Sequence, residues 1–376
     1  MRNSSRLHVE LLVVIAIVGF PSSRKSVKRR LRLQISIDVC PIARAEYTCF
    51  STCKSSSAYD ALGCCTSDCA LKPFPPNIEP ALMSAHQLHS DHARLFEHNR
   101  FVYPVLSRRS GGISVGVNLN PDKICNFDCI YCQVDRTSQS ETRFVETAKL
   151  VDELRTTLDL IVSGAIYEHD KFREVPHHLR RLNDVAFSGD GEPTSYKNFD
   201  ELMDTCAEVK RDAARRWQGL DDVKMVLITN ASLFHRPHVQ RGLATLDRNN
   251  GEIWAKLDAG TDEYYHLIER TPIPFRQILD NITAAARLRP MVIQALFMRV
   301  SGEPPSSAEM EAFCERLNEI AAAGGTLKLV QIYTVARRPA ESFVAPLADA
   351  EVDAIVALVR ERTGLATIGY YGNAEY

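Results

Sequence analysis

Three cysteines fall within eight residues, Cys125-Asn126-Phe127-Asp128-Cys129-Ile130-Tyr131-Cys132, spaced Cys-x3-Cys-x2-Cys. A run this compact suits three thiolates closing on one small inorganic object. Iron–sulfur clusters are held by Cys thiolates, and a 4Fe-4S cube has four irons to ligate. Three cysteines leave one iron without a protein ligand. An open iron can bind a small molecule through nitrogen and oxygen, which predicts chemistry as well as electron storage. Other readings of the same residues stay open at this point. Zinc would need a fourth ligand, with His169, His177 or His178 to supply it. Structural zinc sites usually show two Cys/His pairs, and no second pair lies at such a distance downstream. A cluster with Cys206 or Cys314 as fourth ligand would make an electron-transfer or sensor protein. A disulfide within eight residues would close a tight loop.

The elements around this run alternate. Residues 111–120 read as a strand, broken by Pro121-Asp122, so the cysteine loop follows the first strand of the domain. Leu150, Leu154, Leu158 and Ile161 give an amphipathic helix over 149–168. A second strand runs from 184 into Gly189-Asp190-Gly191-Glu192-Pro193. Asn198 and Glu201 then form a capping-box pattern for a helix to about Trp217. Glycines after a strand permit close backbone approach to a ligand. The third strand, 223–228, ends in Thr229-Asn230-Ala231-Ser232; polar residues there read as ligand contacts, or Ser232 as a helix cap. The fourth, 252–260, sets Trp254, Lys256 and Asp258 on one face. A Lys and an Asp facing a barrel interior are costly unless paired or used, so Lys256 and Asp258 are candidate catalytic residues. A helix over 275–289, a strand over 291–300, a helix capped by Ser306 and Glu309 and stopped at Gly324-Gly325, and a strand over 327–335 follow. Arg337, just beyond, suits a substrate carboxylate or phosphate; a surface arginine is the alternative. A last helix spans 348–363. Six strand–helix units in alternation imply an α/β fold with a parallel sheet and right-handed crossovers, short of the eight units of a closed TIM barrel.

The chain has 376 residues, 45% apolar and 24% charged, with a net charge of −2. These values suit a globular protein with a sizeable core. The charge is uneven: residues 1–82 hold 11 Lys and Arg against 6 Asp and Glu, the remainder 34 against 41. The body therefore has no positive excess to attract a phosphate backbone. Six of the 11 cysteines lie between Cys40 and Cys69. An apolar run over 11–20 is too short for a membrane span, which needs about 20 residues. It is flanked by Arg24, Lys25, Lys28, Arg29, Arg30 and Arg32, which argues against export. Charge sign, cysteine density and periodicity all change at Met83. Residues 1–82 are therefore expected to be an extension without a clear fold, or upstream sequence translated in error; a second cluster built from its cysteines is the rival reading. Residues 83–109 read as a lead-in, 110–340 as the core domain, and 341–376 as a terminal helix and tail. A cluster needs reduced thiols, so the expected compartment is the cytoplasm.

Cys-x3-Cys-x-aromatic-Cys, with Tyr131 as the aromatic residue, resembles the signature of the radical S-adenosylmethionine (radical SAM) enzymes. The resemblance covers roughly residues 110–340 and implies an open (β/α)6 partial TIM barrel. It also implies a 4Fe-4S cluster on Cys125, Cys129 and Cys132 that cleaves S-adenosylmethionine (SAM) reductively to a 5′-deoxyadenosyl radical. The Gly-Glu-Pro part of the second turn is similar to the family's Gly-Gly-Glu-Pro motif, departing from it at Asp190. By that resemblance Gly189, Gly191, Glu192, Thr229, Asn230 and the Tyr131 backbone hold SAM. The combination of Cys-Asn-Phe-Asp-Cys-Ile-Tyr-Cys-Gln, Ser-Gly-Asp-Gly-Glu-Pro-Thr and Lys-Leu-Asp-Ala-Gly looks most like a bacterial group of Fe–S oxidoreductases related to the wyosine tRNA-base synthases. A tRNA base is then an implied substrate, a protein undergoing glycyl-radical activation another, and flavodoxin or ferredoxin an implied reductant.

Overall fold

The structure is a computed structural model that describes residues 96–372 apart from 137, 139 and 141. The chain divides into two units, Met1–Pro75 and Pro76–Tyr376. The expectations for residues 1–82, and for the lead-in before residue 96, lie outside the described residues.

Strand β1 (Val102–Ser107) turns back antiparallel into β2 (Gly112–Val117), and helix α1 (Thr147–Val162) follows. Then come β3 (Leu182–Phe187), α2 (Phe199–Arg216), β4 (Lys224–Thr229), α3 (Pro237–Asp247), β5 (Gly251–Lys256), α4 (Asp262–Glu269) and α5 (Phe275–Leu288). The chain continues through β6 (Met291–Leu296), β7 (Arg299–Val300), α6 (Ser307–Ala322), β8 (Leu327–Tyr333), β9 (Val344–Ala345), α7 (Asp349–Thr363) and β10 (Thr367–Tyr370). Eight strands form one sheet in the order β1-β2-β3-β4-β5-β6-β8-β10, parallel from β2 onward; β7 and β9 pair separately. The six expected strands are all present in an open partial barrel. Among the described residues, no helix is long and apolar enough to cross a membrane.

Two strands lie outside the stretch read as strand and helix units. β1 occupies the edge, where Pro104 is tolerated because a missing N–H costs no ladder bond. β10 lies in the stretch read as terminal helix and tail, and pairs with β8 after Gly364 ends α7 in the left-handed region at φ 68°. The cysteine loop therefore follows the second strand of the sheet. Three boundaries and one cap also differ. The first helix ends at Val162, and a short 3-10 turn starts after Gly164. Asn198 forms no capping box; its side-chain amide donates to the Glu201 carboxylate. The strand expected over 252–260 ends at Lys256, and that over 291–300 splits into β6 and β7.

The outer face of the sheet packs on the helices through side chains such as Leu150, Leu154 and Leu158 of α1, each fully buried. Each such side chain contributes about 1.5–3 kcal/mol relative to exposure. The inner face carries a smaller apolar group, Ala186, Val226, Trp254 and Val292, one from each of four adjacent strands. The sheet curls far enough for its ends to touch. The guanidinium of Arg109, in the β1–β2 turn, lies over the Trp254 ring of β5 and the Tyr333 ring of β8, and Arg108 donates to the Tyr371 carbonyl just past β10. The hollow of this half-barrel is where the strand-end loops converge.

Candidate functional site

The cysteine loop is pinned from several sides. Phe127 and Ile130 are buried beneath it. The backbone N–H groups of Asp128 and Ile130 donate to the carbonyls of Glu269 and Ile268 at the end of α4. Asn126 joins Asn230 and Ser232 at the end of β4, donating to Ser232 Oγ and accepting from the Asn230 amide. Ser232 is therefore part of the loop anchor and caps no helix; the next helix starts at Pro237. This leaves Cys125, Cys129 and Cys132 as free, half-buried thiols on the wall of one cavity of about 310 Å³.

The turn after β3 lies against the same loop. A Cβ on Gly191 would sit 2.1 Å from the Ile124 carbonyl oxygen, and one on Gly189 would sit 2.1 Å from Asn118 Oδ1. The glycines thus let the turn approach its own chain, beside whatever ligand the cavity takes. Glu192 is buried, and its carboxylate accepts from the N–H and hydroxyl of Thr194, the Thr229 hydroxyl and the Asn230 N–H. Burial raises its pKa even so. With four donors on it, the Glu192 carboxylate fixes the ends of β3 and β4 relative to each other. Gly189, Gly191, Glu192, Thr229 and Asn230 all line the cavity.

Behind the cysteines lies a buried polar chain. Cys129 donates its thiol proton to Glu269 Oε2, and the Tyr131 hydroxyl is 2.5 Å from Asp258 Oδ2 and 3.1 Å from Glu269 Oε1. Asp258 also accepts from the Leu296 N–H and pairs with Lys256 at 3.1 Å. Burial, then the charge of Asp258, push Glu269 up to about 8. Burial would lower the Lys256 ammonium, but Asp258, Tyr333 and Glu269 around it carry it well above its ordinary range. It stays a cation, 4.5 Å from the centre of the Tyr131 ring. Lys256 and Arg337 line the cavity, whereas Asp258 stands behind its wall and positions Lys256 and Tyr131.

The donor set fits a cluster. Burial raises the Cys125 thiol, and burial with Glu269 raises Cys129 further. Coordination deprotonates a thiol outright, so a metal centre can take these thiols as thiolates even though burial raises them. Among the described residues, no three His, Cys, Asp or Glu side chains gather tightly enough for a single ion. A cube sets its thiolates on separate irons, whereas zinc would need them on one centre. Cys206 and Cys314 are buried in α2 and α6, and His169, His177 and His178 are also away from the cavity; no fourth cysteine lines it among the described residues.

Residues 119–300 match the family model of the radical SAM superfamily. These residues, a little under half of the chain, carry the radical SAM domain. The chain is 24% identical over 277 residues to a protein of Brachyspira hyodysenteriae named GTPase Obg, covering 73% of this chain and 35% of that protein. A UPF0026 protein of Helicobacter pylori is 27% identical over 248 residues, covering 65% and 68%. Another from Methanocaldococcus jannaschii is 28% identical over 172 residues, covering 44% and 43%. The chain thus spans about a third to two thirds of these relatives. Among solved structures, TYW1 with a lysine–pyruvate adduct matches with a TM-score of 0.42 at 15% identity, covering 68% of this chain and 74% of that one. Streptococcus suis SuiB bound to S-adenosylmethionine matches at 0.47 and 12%, covering 70% and 52%.

Several residues of this site carried no signal in the sequence. Glu269 looks like one more helix carboxylate, yet it meets Cys129 across 140 positions. Asn118 holds Asp190 from both ends, donating to its carboxylate and accepting from its N–H. Arg109 and Gln294 line the cavity far from any motif.

Proposed function

We propose that Cys125, Cys129 and Cys132 ligate three irons of the cluster, and that SAM occupies the adjoining cavity. The Tyr131 backbone, Gly189, Gly191, Glu192, Thr229 and Asn230 would hold SAM there. The observation that carries this reading is that three free thiols, the Gly-Asp-Gly-Glu turn and the end of β4 open onto one cavity, with no fourth cysteine on it among the described residues. When bound, cluster and SAM supply reductive cleavage of the sulfonium to methionine and a 5′-deoxyadenosyl radical, which takes a hydrogen atom from the substrate.

The chain's own residues prepare that event. Glu192 holds the SAM-side strand ends in place by accepting four hydrogen bonds. Phe127, Leu296 and Val335 give the cavity an apolar wall that limits water. Lys256, kept charged by Asp258, and Arg337 offer cationic contacts to a substrate. A one-electron reductant such as flavodoxin or ferredoxin completes the scheme, and three free thiols suit the reducing cytoplasm. The substrate classes implied by the resemblance are a tRNA base and a partner protein. A tRNA substrate would show as strongly salt-dependent retention of the chain on tRNA.

The test is anaerobic. The full chain is reconstituted with iron and sulfide, reduced with dithionite and given SAM. The reading expects 5′-deoxyadenosine from the native chain and none from a variant with all three cysteines changed to Ala. Equal product from both would end it.

A further inference from the structure

The hairpin side of the same cavity carries two polar groups that the scheme above does not use. The first is Arg109. Its guanidinium centre lies 5.9 Å from the centre of the Trp254 ring and 5.2 Å from that of Tyr333, so two aromatic faces set its position. Two other cations on the cavity wall have partners: Lys256 pairs with Asp258, and Arg136 donates to the Lys123 carbonyl. Arg109 has no ion pair among the described residues. The Asp184 carboxylate feels its charge, but it is buried and takes a hydrogen bond from Ser114. The second group is Gln294, whose Nε2 donates to Gln331 while Oε1 has no partner among the described residues. Gln294 is fully buried and lines the cavity. A buried carbonyl without a donor costs about 1–3 kcal/mol, and a planar guanidinium is shaped to bind a carboxylate or phosphate in two places. Each of these two groups is therefore open to a ligand.

We propose that Arg109 and Gln294 form the substrate-binding side of the cavity, and that they take a small substrate bearing a carboxylate or phosphate and an N–H or O–H donor. Arg109 binds the anionic group, and Gln294 Oε1 accepts from the donor. The role as substrate pocket rests on the radical SAM reading of the cavity. The anion site itself stands on the geometry alone. Small-molecule sites of this kind combine mostly apolar walls with a few placed polar groups. Arg109 supplies charge, Gln294 supplies orientation, and Trp254 with Tyr333 holds the guanidinium in place.

The chain has two tryptophans, so in the full-length Trp217→Phe protein the emission reports on Trp254, against which Arg109 rests. Three probes are titrated: pyrrole-2-carboxylate, which has an anion and an N–H; phenyl phosphate; and neutral pyrrole-2-carboxamide. A saturable change with either anion and none with the carboxamide is expected, and whichever anion binds more tightly names the group. Arg109→Met should weaken that binding about tenfold or more, with Arg109→Lys in between. No saturable change with either anion, equal affinity for acid and amide, or unchanged affinity in Arg109→Met would overturn the assignment. If Arg109→Met does not fold, the acid–amide comparison alone decides. The same Trp217→Phe protein is assayed for 5′-deoxyadenosine. Product without probe binding overturns the anion site alone, and probe binding without product upholds the anion site while overturning the cluster reading.

Discussion

The cysteine side and the hairpin side of the cavity are held together differently. On the cysteine side most polar groups hold one another, although Asn120 Oδ1, beside Gly191, has no partner among the described residues. Asn126 is tied to Asn230 and Ser232, Glu192 to Thr194, Thr229 and Asn230, and Cys129 to Glu269. On the hairpin side Arg109 rests on aromatic faces, and Gln294 Oε1 meets no donor among the described residues. A satisfied network fixes geometry before any ligand arrives, which suits cofactors whose reacting atoms must be placed closely. Open polar groups leave binding energy for a ligand that has yet to arrive. The difference supports the proposal that cofactors take the first region and substrate the second.

The sharpest way to break this contrast is to remove a thiol. Cys125→Ala, Cys129→Ala or Cys132→Ala should each abolish most bound iron after anaerobic reconstitution, measured as iron per chain. Cys206→Ala and Cys314→Ala should keep it, losing only about 1–2 kcal/mol of stability for the buried volume removed. Iron loss in either of those two would point to a fourth cysteine ligand and an electron-transfer role.

Next in size is Glu192→Gln. With its carbonyl oxygen kept on the two threonines, its NH2 would face the Asn230 N–H that now meets Oε2, so the unfolding midpoint in urea should fall by an amount equivalent to about 1–3 kcal/mol. An unchanged midpoint would mean that the network does not brace the cysteine side.

Gly191→Ala should cost about 1–3 kcal/mol by overpacking, because its Cβ meets the Ile124 carbonyl next to Cys125. Iron should also dissociate faster from this variant in a chelator competition. Iron release at the native rate would show that the turn and the cysteine loop are independent.

The smallest effect belongs to the hairpin side. Glu252 holds the Trp254 indole N–H and pairs with Lys224 and Lys328. Although burial opposes it, Lys328, Trp254 and Lys224 keep the carboxyl below its ordinary range. A depressed folded pKa adds stability that is complete above the unfolded value and lost as pH falls through the folded one. The stability gap between native chain and Glu252→Gln should therefore be full at neutral pH, close in acid, and shrink with salt because both lysines are half-exposed. A gap independent of pH would remove the electrostatic account.

What the sequence disclosed divides along the same line. The cysteine run and the Gly-Glu-Pro turn are each compact in the chain, so the residues that line one cavity could be named one by one, and the six central strands followed from alternation. The strand of Val102–Ser107 was missed because its inner and outer faces are both buried and it shows no alternation. That of Thr367–Tyr370 is only four residues long. Lys256 and Asp258 were found from the cost of burying charge, though Asp258 lies beyond the strand and acts through Lys256 and Tyr131. Arg109 and Gln294 owe their setting to the curl of the sheet, which brings the first turn against β5 and β8; no local pattern encodes that.

The central claim is that three cysteines hold a cluster whose remaining iron binds SAM in this cavity. The most direct measurement is the EPR spectrum of the dithionite-reduced, reconstituted full chain, recorded with and without SAM. The account predicts a 4Fe-4S signal whose g-values shift on adding SAM. A fully loaded cluster with an unchanged signal at saturating SAM would contradict it.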